Sequence, residues 1–326
     1  MTAENASATS AGKAYHPVVG YLLIAVAAFL WASSANLAKA AFAGGWIRGL
    51  RPVDVLTLTQ MRSTVSFLLL FPALVLLRGW RAVALPWKAW VSCILLGMIG
   101  VAGSNFFYYY AIMKTTVATA VVVQYISPVY VMVIRLAMGD EGLNRWRVAA
   151  VASAVAGCAL VVGIGSGVSL HGNLIGILAA QGAALSFTIY NVGGGKLATR
   201  IDPMLLMVYA MMGAAILWLP INTPRMLVAH HYDGRQWGFL VLFAIFSMLV
   251  PYTLYFIALR RLDATRAIII SCLEPVFAAL LAWVLLREAL LPLQVIGVGL
   301  VIAATLLTQV RSRGKAEVVL AEIPPG

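Results

Sequence analysis

Long apolar runs, interrupted by short polar clusters, recur along the whole chain. Each run holds about 20 residues, the length a helix needs to cross a hydrocarbon core of roughly 30 Å. Hydropathy and helix breakers together place ten spans, at 18–41, 53–77, 89–113, 115–138, 147–164, 173–195, 203–221, 237–259, 265–286 and 291–310. The connections are short, the longest running over 222–236. A transmembrane barrel would need segments of about ten residues with alternating polarity instead. The pattern predicts an all-α polytopic membrane protein with ten transmembrane helices. Residues 1–17, rich in Ala, Ser and Thr, read as a disordered tail. The first span is too long for the core of a cleaved signal peptide, although Ala38-Lys39-Ala40 looks like a cleavage motif.

Composition agrees. Of 326 residues, 62% are hydrophobic and 10% charged, and the mean hydropathy is +0.94. A soluble domain carries about 25% charged residues, so a soluble enzyme, a nucleic-acid binder and a disordered scaffold are all disfavoured. The net charge of +12 is explained by where the 23 basic residues lie. With the N-terminus placed in the cytoplasm, inside segments hold fourteen Lys and Arg and outside segments seven. That bias puts both termini in the cytoplasm, so the basic excess is an orientation signal rather than a nucleic-acid site. Cys93, Cys158 and Cys272 all fall inside apolar runs, without disulfide or metal-ligand spacing. His230, His231 and Asp233 offer at best a weak metal site, and a solvated loop is the plainer reading. No metal or cofactor is expected.

An internal repeat organises the chain. A shift of 147 residues (275 less 128) sets Pro128 on Pro275, Tyr130 on Phe277, Glu141 on Glu288 and Tyr108 on Tyr255. A looser shift sets Asn36 on Asn191. The halves are 18–167 and 168–310, each with five spans, followed by a cytoplasmic tail at 311–326. Five is odd, so the second half crosses in the opposite sense, giving the two inverted five-helix repeats known from secondary transporters.

The paired segments QYISPVYVMVIRLAMGDE and SCLEPVFAALLAWVLLRE carry a further signal. Each has a proline-centred helix that ends in an acidic turn. In this, and in its ten-span layout, the chain resembles the EamA-type branch of the drug/metabolite transporter superfamily, from residue 18 to 310. The resemblance implies a secondary transporter of small organic metabolites.

Polar groups at membrane depth are costly and tend to face a cavity or a partner. On the fourth span Gln124 and Ser127 share a face, and their repeat partners are Ser271 and Glu274. Asn105 and Tyr108 likewise map onto Tyr252 and Tyr255. Asn36, Asn191, Gln181, Tyr190 and Tyr125 complete a candidate substrate cavity, aromatic-walled and polar-studded. Tyr109 and Tyr110, near a helix end, fit the role of interfacial anchors. Pro128 and Pro275 each remove a backbone donor and are candidate kinks or hinges. Gly97, Gly100 and Gly103, with Gly193, Gly194 and Gly195, suit close helix packing.

Glu274 and Arg62 are two ionisable groups near mid-depth. Glu274 can take up a proton in transport, meet a cationic group on the substrate, pair with Arg62 or cap freed backbone. Arg62 can be structural or can bind a substrate carboxylate. These features, together with what the resemblance implies, favour an exporter of amino acids or related amphiphilic compounds, working by alternating access without direct use of ATP, since no Walker motif is present. An uncoupled facilitator or channel is the alternative, and a membrane-embedded enzyme a weaker one, because all four histidines fall outside the spans. The expected partners are a small-molecule substrate and the lipid bilayer. The cell (inner) membrane is the expected location in a bacterium, and a monomer is compatible with the sequence.

Overall fold

The computed structural model describes residues 17–44, 51–139, 145–162, 174–259, 261–262, 270–288 and 290–310. Among these residues there is no strand. In chain order the main helices are α1 (Pro17–Ala43), α2 (Val55–Arg78), α3 (Trp87–Lys114), α4 (Val117–Ala137) and α5 (Arg145–Val162). They continue with α6 (Leu174–Ala198), α7 (Pro203–Ile221), α8 (Gly234–Ala244 extended through Val250–Leu259), α9 (Leu273–Leu286) and α10 (Pro292–Val310). Among the described residues seven helices are long and apolar enough to cross a membrane, and three shorter apolar helices lie in α5, α9 and α10. Large apolar side chains point outward, Leu76 at 86% and Leu77 at 82% exposure. A helix that is apolar all round suits lipid rather than water.

The predicted spans and the helices coincide within a few residues, with three differences. The 222–236 connection carries a short helix, Pro224–Ala229, capped by the Thr223 side chain. The fourth span is not one helix with a kink at its proline: it stops at Gln124, turns through Tyr125 and Ile126, and restarts at Ser127 with Pro128 in the first turn. Proline is accommodated there because first-turn N–H groups have no intrahelical acceptor. The ninth restarts similarly at Leu273 after Cys272, with Pro275 in its first turn, and winds into a π-helical end at Ala282–Leu286. The predicted tails (apart from Pro17), Glu141 and the start of the ninth span lie outside the described residues.

Packing follows the repeat. α1 packs on α8 and α9, as α6 packs on α3 and α4; α2 packs on α8, as α7 packs on α3. α2 meets α7, and α5 meets α10. α3 and α8 each contain a π-helical turn, Gly97–Ala102 and Ile245–Leu249, at matching places in the two halves. α2 and α7 each begin after a capping aspartate. Asp54 accepts from the backbone N of Thr57 at 2.9 Å, and Asp202 from those of Met204 at 2.9 Å and Leu205 at 3.2 Å. Close approach of α3 and α7 depends on glycine. A Cβ on Gly97 would lie 2.0 Å from the Ala210 carbonyl oxygen, and one on Gly213 2.2 Å from that of Ile94.

Candidate functional site

The charged centre lies where α1, α2, α3, α4, α8 and α9 converge. Arg62 projects from α2 and is only 5% exposed. Its Nη1 donates to Asn105 Oδ1 at 2.7 Å and its Nη2 to the Ser247 carbonyl at 2.6 Å, so the guanidinium joins α2, α3 and α8. The guanidinium also lies over the Tyr109 ring, 5.1 Å from its centroid. Among the described residues its Nε has no hydrogen-bond partner. All three protein partners are neutral. A buried charge without a counter-charge is expensive, and sites that retain one commonly use it.

Glu274 projects from the first turn of α9 and accepts from the Tyr125 hydroxyl at 3.0 Å, while that hydroxyl also reaches the Ser271 carbonyl at 2.8 Å. Tyr125 sits in the turn that breaks α4, so the break is what aims its ring across at α9. Arg62 and Glu274 interact electrostatically, yet no ion pair joins them among the described residues. Tyr108 and Tyr109, both buried, interact electrostatically with both groups. The hydroxyl of Tyr108, Oδ1 of Asn36 and Oγ of Ser247 are buried without hydrogen-bond partners among the described residues. Asn36 uses its amide on the carbonyls of Ala32 at 2.9 Å and Ala278 at 3.2 Å, fastening α1 to α9.

Of the residues singled out from the sequence, Arg62, Asn105, Tyr108, Tyr125, Ser271 and Glu274 fall in or beside this cluster, and Asn36 borders it. Tyr252 faces Trp31, as does Tyr255, with ring centroids 5.3 and 5.9 Å away. Ser127 is buried, and its carbonyl accepts from Thr188 at 3.3 Å. Gln124 is half-buried on α4. Gln181 is not brought in: its oxygen accepts from the Tyr130 hydroxyl, between α6 and α4. Asn191 repeats the backbone bond of Asn36, donating to Phe187 four residues earlier at 2.7 Å, but it is exposed. By helical period it stands on the arc that includes buried Ala184, Thr188 and Gly194.

Tyr109 corrects the sequence reading. It is fully buried, with its ring under Arg62 and its hydroxyl 3.4 Å from Ser34, and is no interfacial anchor. Its neighbour Tyr110 stacks on Phe106 and lies under Lys114 near the end of α3, as an anchor does. His230 stacks on Tyr232, and Asp233 caps α8 in a capping box with Gln236.

Next to the charged centre is a small cavity. Ser104 and Asn105 of α3 form its polar wall; Tyr190 of α6, Met207 and Met211 of α7 and Met248 of α8 are among its apolar walls. The α3 and α8 residues come from the π-helical turns or the turn that follows them, where such irregularities commonly mark function.

Beyond Asn36, Lys39 and Glu288 tie helix ends together. Lys39 donates to the carbonyls of Ile112 at 2.9 Å and of Thr115, where α3 ends, and lies 4.0 Å from Glu288. Glu288 accepts from the backbone N of Val117 at 2.9 Å, where α4 begins. Each charge meets the helix end of opposite polarity. In the sequence Lys39 stood out only as part of the Ala38-Lys39-Ala40 motif at the end of the first span.

Among the described residues, a helical bundle with lipid-suited surfaces, a buried arginine and paired proline-broken helices fits a polytopic membrane protein. Comparison with known proteins agrees: the pattern of the EamA-like transporter family matches residues 18–163 and 174–310, and the chain belongs to that family as an integral, multi-pass membrane protein. Among its relatives is the threonine/homoserine exporter RhtA of Escherichia coli (strain K12), 27% identical over 221 residues, 68% of this chain and 72% of the relative. An uncharacterized transporter of Archaeoglobus fulgidus is 25% identical over 276 residues, covering 82% of this chain and 89% of its own length. The uncharacterized transporter YwfM of Bacillus subtilis (strain 168) is 25% identical over 304 residues, 90% and 94% respectively. A crystal structure with a TM-score of 0.58 and 21% identity covers 91% of this chain and 98% of its own and shares the fold.

Proposed function

We propose that this transporter exports amino acids or closely related zwitterionic metabolites by alternating access, with Arg62 and Glu274 as the two poles of the substrate site. The observation that carries the reading is their arrangement. Two opposite charges, the buried Arg62 and the half-buried Glu274, share one cluster, each held by neutral groups, with no ion pair between them among the described residues. A zwitterion can supply both missing counter-charges, its carboxylate toward Arg62 and its ammonium toward Glu274. The name of the RhtA relative, a threonine/homoserine exporter, supports the same substrate class.

In this reading residues 18–167 and 168–310 are the two inverted repeats, and Pro128 and Pro275 mark where they flex. The basic bias of the loops supports cytoplasmic termini and, in a bacterium, the inner membrane. The Lys39–Glu288 end then faces outward, while Asn191 lies in the inward-facing half. Counterflow in proteoliposomes across the twenty amino acids tests the proposal, with N-acetyl and methyl-ester derivatives as controls. Free amino acids should exchange and both derivatives should fail, since each lacks one charge. Equal exchange of the derivatives would refute the two-pole site, and flux that ignores imposed pH and voltage gradients would favour a facilitator.

A further inference from the structure

The connection from α2 to α3 and the connection from α7 to α8 are equivalent in the repeat. Each carries a short helix, Trp80–Val83 in the first and Pro224–Ala229 in the second. Their chemistry differs. Residues 78–88 hold Arg78, Arg81 and Lys88, no acid, and the tryptophans Trp80 and Trp87. Residues 222–236 hold Arg225, Arg235 and Asp233, and no tryptophan. The first connection is also held firmly. Tyr209 of α7 donates to the Val83 carbonyl at 2.7 Å, and Val83 is buried. Phe71 of α2 meets Trp80 and Tyr209 edge-on, with ring centroids 5.9 and 6.1 Å away. From this fixed base the remaining side chains project outward. Trp80 and Trp87 are 66% and 71% exposed, and Trp87 stacks on Trp90 at 5.0 Å. Arg78 is engaged by Asp202 at 3.2 Å, whereas Arg81 and Lys88 are exposed and, among the described residues, have no acidic partner. Leu76 and Leu77 close α2 beside them with outward side chains.

Indole rings settle at the headgroup level of a bilayer, where one end is apolar and the other wet. Basic side chains beside a membrane are drawn to acidic lipids, and their long stems let the charge reach the phosphates. We propose that residues 78–88 form a binding site for the headgroup of an anionic phospholipid in the cytoplasmic leaflet. Arg81 and Lys88 meet its phosphate and net negative charge, Trp80, Trp87 and Trp90 lie at the glycerol level, and Leu76 and Leu77 face the acyl chains. The outer connection, with two cations, an acid and no tryptophan, has no such set. The choice of leaflet rests on the orientation proposed above; the choice of headgroup does not.

The test is native mass spectrometry of the delipidated protein in detergent, titrated with phosphatidylglycerol and with phosphatidylcholine of the same chains. One basic residue near an anionic surface is worth about a fivefold gain in affinity. Two should therefore give wild type a preference for phosphatidylglycerol of about tenfold or more. Arg81→Gln with Lys88→Gln should bring the two lipids near parity. Arg225→Gln with Arg235→Gln, the same charge loss on the outer connection, should keep the preference. All four positions are exposed, and thermal unfolding confirms that each variant is folded; should the inner pair fail to fold, Lys88→Gln alone should cut the preference several-fold. Equal binding of both lipids by wild type overturns the site. So does a preference that the inner pair leaves intact, or that the outer pair abolishes as fully. Lys88→Cys, in a background lacking Cys93, Cys158 and Cys272, tests the leaflet: a membrane-impermeant maleimide should label it only in permeabilised cells. Labelling in intact cells would overturn the leaflet and the orientation together, while the lipid titration decides the headgroup by itself.

Discussion

Arg62 on α2 and Asn105 on α3 are joined by a hydrogen bond of 2.7 Å, and the second guanidinium nitrogen reaches the Ser247 carbonyl on α8. The positive pole of the site is thus positioned by neutral groups, which leaves its charge free to act on a ligand. Replacing Asn105 by Asp would give Arg62 a permanent counter-charge in place of a neutral acceptor. Exchange in proteoliposomes should fall by about tenfold or more, equivalent to ~1.4 kcal/mol or greater, with thermal stability kept. Exchange at the wild-type rate would show that Arg62 does not meet substrate.

Glu288 holds two helices at the end beyond Asn36, through Lys39 of α1 and the backbone N of Val117 at the start of α4. Glu288→Gln removes the charge and keeps a hydrogen-bonding side chain, so the end should open more often. A single reporter cysteine at Ser34, which is 4% exposed, in a background lacking Cys93, Cys158 and Cys272, should react several-fold faster with a bulky thiol reagent. An unchanged labelling rate would remove these residues from any gating role.

The glycines separate into those that are needed and those that are not. Gly97→Val and Gly213→Val place side chains against carbonyl oxygens of Ala210 and Ile94, where a Cβ alone lies 2.0 and 2.2 Å away. Backbone cannot yield as a flexible side chain does, so both variants should lose the monodisperse folded protein in size-exclusion chromatography. Gly195→Ala meets nothing within 4 Å and should match wild type in yield and melting temperature.

Pro128 and Pro275 stand in first turns, where a restored N–H has no intrahelical acceptor waiting. Alanine at either place should leave the melting temperature within a few degrees. What changes is the fixed backbone angle at the break, and the exchange rate should shift several-fold if the breaks flex during transport. A wild-type rate in both variants would make them static bends.

The span positions were legible because apolar runs of membrane-crossing length are a strong signal, and 203–221 is reproduced residue for residue as α7. The repeat was legible through Pro128 and Pro275, and the breaks in α4 and α9 do lie just before them. The capping pair Asp54 and Asp202 carried the same symmetry in the sequence and went unused, because a cap is recognised only once the helix start is known. Tyr109 was misread because three successive tyrosines point in different directions around a helix, and only packing says which one faces inward. Gln181 carried a polar signal, but its partner Tyr130 lies on another helix, so no spacing rule connects them.

The central claim is that Arg62 and Glu274 are the two poles of a zwitterion site, and counterflow with charge-removing variants tests it most directly. Arg62→Gln and Glu274→Gln, each reconstituted and shown to be folded, should both lose exchange of an amino acid that wild type carries. Exchange at the wild-type rate in either variant would contradict the account.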